Sequence, residues 1–349
     1  MYKTTTLLRR KLRIRYPAPE GSSIVLRTEL DWNKDLEPES IQDDGQSFIF
    51  ALECNKPFLY FKAGLRTGDR FEWSVGPNLL CLMTNRDTAD VYPFFHSPET
   101  GFFTDVLEFD SKILGRKHLL RVYAPPGYRE NTLQRYPVLY MQDGKNLFFP
   151  EEAFLGNEWG VDESIALLNK MTAVDRVIVV GIWSHDRFLD YTKPGYEKYG
   201  LSLVEEIIPV AKSRLRLLEG PRDTGVMGSS LGGVVSFYMA WQWPEIFGTA
   251  FCLSSTFSYQ DDLIDRVLSS EPTPKARFYL DSGWPEDNYE VTLAMAMALN
   301  QRGCIPGRDF LHVVFPMALH DEKSWGERLH LPLQLFLGRI KAANRGRYA

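Results

Sequence analysis

Residues 224–233 constrain the fold of this chain more than any other stretch. They read TGVMGSSLGG, a β-branched and apolar run that ends in glycines and serines, and an apolar segment of helical length (234–243) follows. The order strand, tight turn, helix around Gly228-x-Ser230-x-Gly232 is typical of a nucleophile elbow, in which a strained turn exposes a serine hydroxyl above a sheet. Small residues also fill such turns for packing alone, so an inert turn is the alternative. We predict that Ser230 is a nucleophile and that Ser229, outside this frame, is only its neighbour.

Length, charge and cysteine content narrow the function classes. The 349 residues exceed the ~250–300 at which a single core stops growing, so two domains are expected. A formal net charge of −5 gives no basic stripe for nucleic acid or an anionic membrane. The four cysteines are scattered, and no His or Cys spacing fits a metal site, so we expect neither metal nor cofactor. With no secretory signal and no apolar run of ~18–20 residues, we expect a cytoplasmic protein without a membrane partner.

Two kinds of sequence pattern divide the chain into two parts. Residues 12–83 contain short β-type runs separated by turn residues such as Asp43-Asp44-Gly45, at the ~8–12-residue spacing typical of a sandwich. We predict a small all-β, immunoglobulin-like sandwich over residues 1–85 and a linker over 86–103. From residue 104 onward strands alternate with helices, which predicts an α/β domain over 104–349 with a doubly wound, mostly parallel sheet. Ligands of such sheets bind at the carboxyl ends of the strands.

A serine nucleophile needs a base that takes its proton and a carboxylate that orients the base. In α/β-hydrolases the order along the chain is serine, acid, histidine, so the base must follow Ser230. His312 lies within a predicted strand and His330 within the last predicted helix, which extends over 327–341. His320 follows a strand end, where a base is needed, and we predict that it is the base.

The acid is expected in the loop after the predicted strand at 277–280. Asp281, Glu286 and Asp287 compete there. Asp281 is close to the strand end and fits a role in orienting the loop. We choose Asp287, with Glu286 as the runner-up.

Acyl transfer also requires N–H donors for the developing oxyanion. The N–H of Leu231 directly follows the nucleophile and gains from the N-terminal end of the elbow helix. The second donor is expected in the loop after the earlier strand, at Gln142 or Asp143.

Loops at the strand ends are rich in aromatic residues and are expected to line the substrate pocket. The candidates are Trp159, His185, Arg187 and Trp284. An aromatic cleft suits an aryl or sugar ester, although aromatic residues serve packing at least as often. Arg187 has two interpretations: it binds a carboxylate or phosphate of the substrate, or it braces its loop by pairing with Asp186, which we favour.

Several segments carry a resemblance to a known family. They are YMQDGKNLF at 140–148, VVGI at 179–182 with Arg187, GSSLGG at 228–233, and Leu319-His320 followed by Trp325. From about Asp105 onward the chain resembles the Putative esterase (esterase D-like) family of α/β-hydrolases, which includes enterochelin and feruloyl esterases. The resemblance implies an α/β-hydrolase fold and a triad of Ser230, Asp287 and His320. One departure is Met317-Ala318-Leu319 ahead of His320, where relatives often have a Gly-rich approach.

The N-terminal part, over residues 61–78, resembles the carbohydrate-binding-type β-sandwiches of glucan-acting enzymes and of some esterases. Because exposed aromatic residues stack on sugars in such modules, the resemblance implies Trp32, Trp73 and Lys62 as glucan contacts. Core or interdomain packing is the favoured alternative for Trp73, since tryptophan is highly buried on average.

These observations predict a serine carboxylesterase that hydrolyses a small-molecule ester through an acyl-enzyme. Two alternatives stay open. One is an acyltransferase that uses the same triad, and the other is a glucan-binding protein whose hydrolase domain is vestigial. The sequence indicates no oligomeric state.

Overall fold

Short strands separated by turns form the first of two units into which the chain divides. The computed structural model describes residues 6–42, 45–84, 88–270 and 275–338. The first unit comprises Met1–Phe102, Pro125–Arg135 and Lys170–Thr172, and the remainder forms the second. Outside the described residues lie the turn at Asp43-Asp44, the predicted boundary between sandwich and linker at 85–87, and the last residues, 339–341, of the final predicted helix. The predicted domain limits stay predictions.

The first unit contains two antiparallel-rich sheets, which confirms the predicted all-β sandwich. Its sheets run β4-β5-β1-β9 and β3-β2-β6-β7, with β8 paired to β6. Side chains alternate along the strands, so that Leu12 and Ile14 of β1 are buried while Lys11 is exposed. The strands are β1 (Leu8–Arg15), β2 (Ser22–Thr28), β3 (Asp31–Leu36), β4 (Ser40–Ile41), β5 (Ser47–Cys54), β6 (Phe58–Thr67), β7 (Arg70–Trp73), β8 (Leu79–Leu82) and β9 (Ala89–Val91).

Buried polar contacts tie Pro125–Arg135 to the rest of the first unit, although the sequence had placed this segment in the second domain, and Asn131 contributes by donating to the carbonyls of Arg15 and Pro93. Glu130 accepts hydrogen bonds from the backbone N–H groups of Phe95, His96 and Ser97. It also accepts one from the Tyr16 hydroxyl, at 3.0 Å. Successive N–H groups of this kind form an anion-binding concavity, which holds the segment through buried polar contacts that no hydrophobic pattern reveals.

The second unit is built on a doubly wound sheet that is parallel from β14 to β18, which confirms the predicted α/β class. Its order is β12-β14-β13-β15-β16-β17-β18, with β11 antiparallel to β12 and β12 antiparallel to β14. Its strands are β11 (Leu107–Ser111), β12 (Arg116–Ala124), β13 (Val138–Gln142), β14 (Ile178–Trp183), β15 (Thr224–Ser229), β16 (Thr249–Leu253), β17 (Arg277–Trp284) and β18 (Phe310–Pro316), and the short β10 (Phe102–Phe103) precedes them at the boundary of the units.

Helices cover both faces of this sheet. They are α1 (Val161–Lys170), α2 (Arg187–Tyr191), α3 (Gly195–Ser202), α4 (Ile208–Arg214), α5 (Leu231–Gln242), α6 (Leu263–Ser269), α7 (Tyr289–Gln301), α8 (Glu322–Glu327) and α9 (His330–Leu337). A π-helical turn, Leu203–Ile207, joins α3 to α4. The helix expected over 327–341 is shorter, because α8 ends at Glu327, α9 begins at His330 and ends at Leu337, and Gly338 is extended; residues 339–341 lie outside the described residues.

Helix α5 is the central helix of the unit. Its residues from Leu231 to Ala240 are all buried, which explains why its sequence is apolar all round rather than amphipathic. Among the residues that the structure describes, no helix combines the length and apolar character needed to cross a membrane. Within the same ranges no group of three or more His, Cys, Asp or Glu residues could hold a metal ion.

Candidate active site

Ser230 stands at the junction between β15 and α5, on a strained backbone. Its φ of 54° and ψ of −123° lie in a region that residues other than glycine rarely adopt. The turn is held because the Ser230 N–H donates to the carbonyl of Leu253 on the neighbouring strand β16, at 2.9 Å. The side chain therefore projects from the carboxyl end of the sheet, where the predicted nucleophile belongs, and the residue is 7% exposed.

The glycines around Ser230 are required by close packing. A Cβ on Gly228 would lie 2.4 Å from the carbonyl oxygen of Gly232, the second residue of α5. A Cβ on Gly233 would lie 2.0 Å from Oγ of Ser255. A side chain at Gly228 would collide with backbone, and one at Gly233 would displace the Ser255 hydroxyl, so the strand and helix approach as closely as the elbow pattern predicts.

The structure brings Ser230, His320 and Asp287 together. Nε2 of His320 lies 3.0 Å from Oγ of Ser230, and Nδ1 lies 2.7 Å from Oδ1 of Asp287. Because an ionised carboxylate only accepts hydrogen bonds, Nδ1 carries the hydrogen and Nε2 is left to accept one from Ser230. The imidazole also packs edge-on against Trp325, with centroids 5.1 Å apart.

The other candidates for base and acid lie elsewhere. His312 is on β18, where its Nε2 is 3.1 Å from Oγ1 of Thr292, and His330 is exposed at the start of α9. Glu286, the runner-up acid, is exposed in the loop after β17, and His320 pairs with Asp287 instead. Asp287 follows it and turns inward.

Asp287 is a buried carboxylate with several donors. Its side chain is 0% exposed. Oδ1 accepts from His320 and from the N–H of Asn288 at 2.7 Å, and Oδ2 accepts from the N–H of Gly283 at 2.6 Å and from the Ser254 hydroxyl. Burial alone raises the pKa of Asp287, but these hydrogen bonds outweigh it and hold the pKa below its usual 3.8. The carboxylate is therefore ionised at neutral pH.

Behind Asp287 lies a buried polar cluster that the sequence did not predict. Ser254, the first residue after β16, accepts hydrogen bonds from Nε1 of Trp325 at 3.0 Å and from Nη2 of Arg328 at 2.5 Å. The same Nη2 lies 3.0 Å from Oδ1 of Asp281. The strand-end rule could have singled out Ser254, as it did Asp281, but Arg328 follows α8 and carries no signal in the sequence.

The predicted oxyanion donors lie next to Ser230 in the chain or near the start of α5, where a Cβ on Gly232 would be 3.2 Å from Cβ of Gln142 and 3.0 Å from Oδ2 of Asp143. Leu231 is the first residue of α5, so its N–H has no acceptor within the helix. Gln142 ends β13, and its Oε1 accepts from the Tyr199 hydroxyl at 2.6 Å. Asp143 has a left-handed backbone, with φ 54°, and its N–H points to the Tyr191 hydroxyl at 3.3 Å. The Asp143 N–H thus already has an acceptor.

Arg187 pairs with a different carboxylate from the one expected. Asp186 caps α2 by accepting from two backbone N–H groups, whereas Nε of Arg187 lies 3.1 Å from Oδ1 of Asp143. Nη2 of Arg187 also donates to the carbonyl of Ser229, at 3.4 Å, which places the guanidinium beside the elbow. Burial raises the pKa of Asp143, although Arg187 opposes that shift. The expected brace between Arg187 and Asp186 is therefore absent from the described contacts.

The remaining pocket candidates differ in exposure. Trp159 is buried and packs on Trp325, with centroids 5.7 Å apart, so it supports the site from within. His185 is exposed, and its backbone N–H donates to Asp190. Trp284, at the end of β17, is 50% exposed and stands close in sequence to Asp287.

Comparison with known proteins identifies the family. The family described as Putative esterase matches residues 111–330. The chain belongs to this family. It is therefore a carboxylic ester hydrolase, as predicted. Among curated proteins, this esterase is 24% identical over 191 residues to the uncharacterized protein YbbA of Bacillus subtilis (strain 168), over 50% of this chain and 72% of that protein.

Two solved structures extend the comparison. This esterase is similar to a ferulic acid esterase, with a TM-score of 0.57 and 17% identity, over 69% of this chain and 99% of that one. It is also similar to the enterobactin esterase FES from Shigella flexneri, with a TM-score of 0.56 and 14% identity, over 96% of this chain and 94% of that one. Both likenesses show the fold, and the predicted α/β-hydrolase fold behind a β-sandwich is confirmed.

Proposed function

We propose that this esterase hydrolyses a small-molecule carboxylic ester with Ser230 as nucleophile, His320 as base and Asp287 as the orienting acid. The observation that carries the proposal is the continuous hydrogen-bonded chain from Oγ of Ser230 through His320 to the buried Asp287. A serine hydroxyl becomes a nucleophile at neutral pH when a positioned base takes its proton, and this chain supplies that base.

Acylation begins when Oγ of Ser230 attacks the ester carbonyl carbon and its proton passes to Nε2 of His320. The carbonyl π electrons move to the oxygen, which becomes an oxyanion. Collapse of this intermediate re-forms the carbonyl and breaks the bond to the leaving alkoxide, which takes the proton from His320 and departs as an alcohol. Asp287 stabilises the imidazolium during both transfers.

Deacylation repeats the sequence with water. His320 takes a proton from water, whose oxygen attacks the acyl carbon, and collapse returns the proton to Oγ of Ser230 and releases the carboxylic acid. In both halves the oxyanion is stabilised by the N–H of Leu231 and by a second donor at Gln142 or Asp143. Since Asp143 already donates to Tyr191, we favour Gln142.

The substrate proposed for this site carries an aromatic group. Trp284 is half exposed, and the exposed rings of Phe188 and Tyr259 form an edge-on pair with centroids 6.4 Å apart. All three rings offer apolar surface to the aryl group of an acyl or alcohol part. The ferulic acid and enterobactin esterases of similar fold are named for substrates with aromatic rings, which agrees with this class. Transfer of the acyl group to an alcohol instead of water uses the same steps, and product partition in added alcohol separates the two reactions.

A second candidate activity is a glucan contact through the first unit. Trp73 is 40% exposed and makes edge-on contacts with Trp32 and Phe71, at 6.3 and 4.8 Å. Lys62 is held by the carbonyl of Gly76, at 2.7 Å, so the aromatic surface rather than the ammonium would meet a sugar. Loss of glycogen binding by the full-length Trp73→Ala variant, at unchanged thermal stability, supports this contact, whereas absence of binding by the wild type overturns it.

Hydrolysis of p-nitrophenyl acetate tests the main proposal. Removal of the nucleophile from a triad costs about 10⁴–10⁶ in kcat, so Ser230→Ala should fall by that range. Ser229→Ala is the matched control, because Ser229 is a buried neighbour without a role in the proposed steps, and it should retain activity. Equal activity of Ser230→Ala and the wild type would refute the proposal, and an inactive wild type would favour the vestigial domain.

A further inference from the structure

Arg328 is a buried cation directly behind the proposed acid. Its side chain is 3% exposed, and of its three side-chain nitrogens only Nη2 has a hydrogen-bond partner in the described part of the chain, whereas Nε and Nη1 have none there. Through this one atom it meets Ser254, Asp281 and, at 3.7 Å, Oδ2 of Asp287. Burying a charge is costly unless hydrogen bonds and an opposite charge compensate it. The three contacts all lie on the side of the site that holds Asp287.

The hydrogen of the Ser254 hydroxyl can point in one direction only. A hydroxyl has one hydrogen and two acceptor lone pairs. Nε1 of Trp325 and Nη2 of Arg328 are donors without lone pairs to offer, and they occupy both acceptor positions of Ser254. The hydrogen is therefore directed to Oδ2 of Asp287, which the hydroxyl contacts. The guanidinium of Arg328 donates to the Ser254 hydroxyl and polarises it, which strengthens the hydrogen bond from Ser254 to Asp287.

Asp281 balances the charge of Arg328. It accepts from Nη2 of Arg328 at 3.0 Å and from the Tyr279 hydroxyl at 2.8 Å, and the N–H of Ser254 points to its Oδ1 at 3.2 Å. The cluster thus contains two carboxylates and one guanidinium, and only Asp287 also contacts His320. This division assigns Asp281 to the arginine and leaves Asp287 for the imidazole.

We propose that Arg328 is a positioning residue for ester hydrolysis, which acts through Ser254 to fix the rotamer of Asp287 and keep it ionised against His320. The inference rests on the proposed triad. It adds a requirement that the triad alone does not state: the orientation of the base depends on a guanidinium that touches neither substrate nor nucleophile. Asp281 holds Arg328 in place through their ion pair.

Ser254→Gly is the first test. It removes the hydroxyl, and glycine suits the positive φ of 43° at this position, so the backbone need not change. Loss of one charge-linked hydrogen bond to the acid should lower kcat for p-nitrophenyl acetate by about 10- to 100-fold. KM should stay within about threefold, since no substrate contact is lost.

Ser255→Ala is the matched control. Ser255 is the adjacent buried serine, and its Oγ has no hydrogen-bond partner among the residues described. Its kcat should stay within about twofold of the wild type. A similar loss of kcat in both serine variants would mean that any cavity in this region suffices, and it would overturn the inference.

The arginine is tested with and without its counter-charge. Arg328→Met alone leaves Asp281 as an uncompensated buried carboxylate, which costs stability whether or not positioning occurs. The double variant Arg328→Met/Asp281→Asn removes both charges and restores balance. Near-UV circular dichroism like that of the wild type, with kcat lowered at least tenfold and KM unchanged, supports the inference. If the double variant fails to fold, Ser254→Gly with its control decides.

Failure of the inference and failure of the proposed function give different results. If the wild type is inactive or Ser230→Ala retains activity, the triad itself is wrong. If Ser230→Ala is inactive while Ser254→Gly and the double variant keep kcat within about threefold of the wild type, the triad stands and only the positioning role of Arg328 is refuted.

Discussion

Replacement of Asp287 by asparagine tests the orientation of the base with an almost isosteric change. The carboxylate accepts from His320 and the N–H of Asn288 at Oδ1, and from Gly283 and Ser254 at Oδ2. Asparagine supplies one acceptor oxygen and one NH₂ group. Two of the four groups that donate to Asp287 must therefore face the NH₂ group, which is itself a donor. Ser254 cannot relieve the conflict, because Trp325 and Arg328 occupy both of its lone pairs.

The least costly arrangement in this variant places the NH₂ group at the Oδ1 position. It then donates to Nδ1 of His320, which forces the hydrogen of the ring onto Nε2, the atom that must accept the proton of Ser230. The same change in a comparable triad lowers kcat about 10⁴-fold, which corresponds to about 5.4 kcal/mol at 1.36 kcal/mol per tenfold. We expect a loss of this size in Asp287→Asn.

Steady-state hydrolysis of p-nitrophenyl acetate measures the effect, and Glu286→Gln is the control. Glu286 is adjacent in sequence and exposed, so its variant should keep kcat within about twofold. A loss of less than tenfold in Asp287→Asn, or a larger loss in Glu286→Gln, would refute the assignment of the acid.

Three further predictions concern packing, pH and substrate. Gly233→Ala should lower Tm, because its Cβ would lie 2.0 Å from Oγ of Ser255, and Ser255→Ala should restore part of the loss by a coupling of about 1 kcal/mol in thermal unfolding. Burial raises the pKa of Asp281 from 3.8 to about 6, so its contribution to the free energy of unfolding is full below about pH 4 and is lost as pH rises through 6. The free energy of urea unfolding of Asp281→Asn should therefore depend less on pH between about 4 and 6 than that of the wild type. An equal pH dependence in the two proteins would contradict the raised pKa. Trp284→Ala should raise KM for aryl esters about fivefold at similar kcat, and an equal KM would exclude Trp284 from the pocket.

The elbow and its partners could be predicted because their signals are local. Gly228-x-Ser230-x-Gly232 indicates a close approach of strand and helix. The structure has this approach, because a Cβ on Gly228 would lie only 2.4 Å from the carbonyl oxygen of Gly232. His320 and Asp287 follow strand ends, and parallel strands bring those ends to one edge of the sheet. Strand-end position distinguished His320 from the other two histidines, but it left three carboxylates competing as the acid, because the direction of a loop side chain is not a local property.

The supporting contacts could not be predicted, because they depend on side-chain directions between distant segments. Arg328 meets Ser254 across 74 positions of sequence, and nothing near either residue indicates the other. The prediction that Arg187 pairs with Asp186 was wrong for a related reason. Asp186 is adjacent in sequence, but its side chain caps α2, and Arg187 pairs with Asp143 instead. Local rules find elements and their ends, whereas buried polar networks require the tertiary structure.

Labelling with a fluorophosphonate, followed by peptide mass spectrometry, tests the central claim most directly. The probe phosphonylates an activated serine with loss of fluoride, so it reports the nucleophile without any assumption about the substrate. The account predicts one adduct on Ser230, none on Ser229 and none in the Ser230→Ala variant. An unlabelled wild-type protein, or a Ser230→Ala variant labelled as well as the wild type, would contradict it.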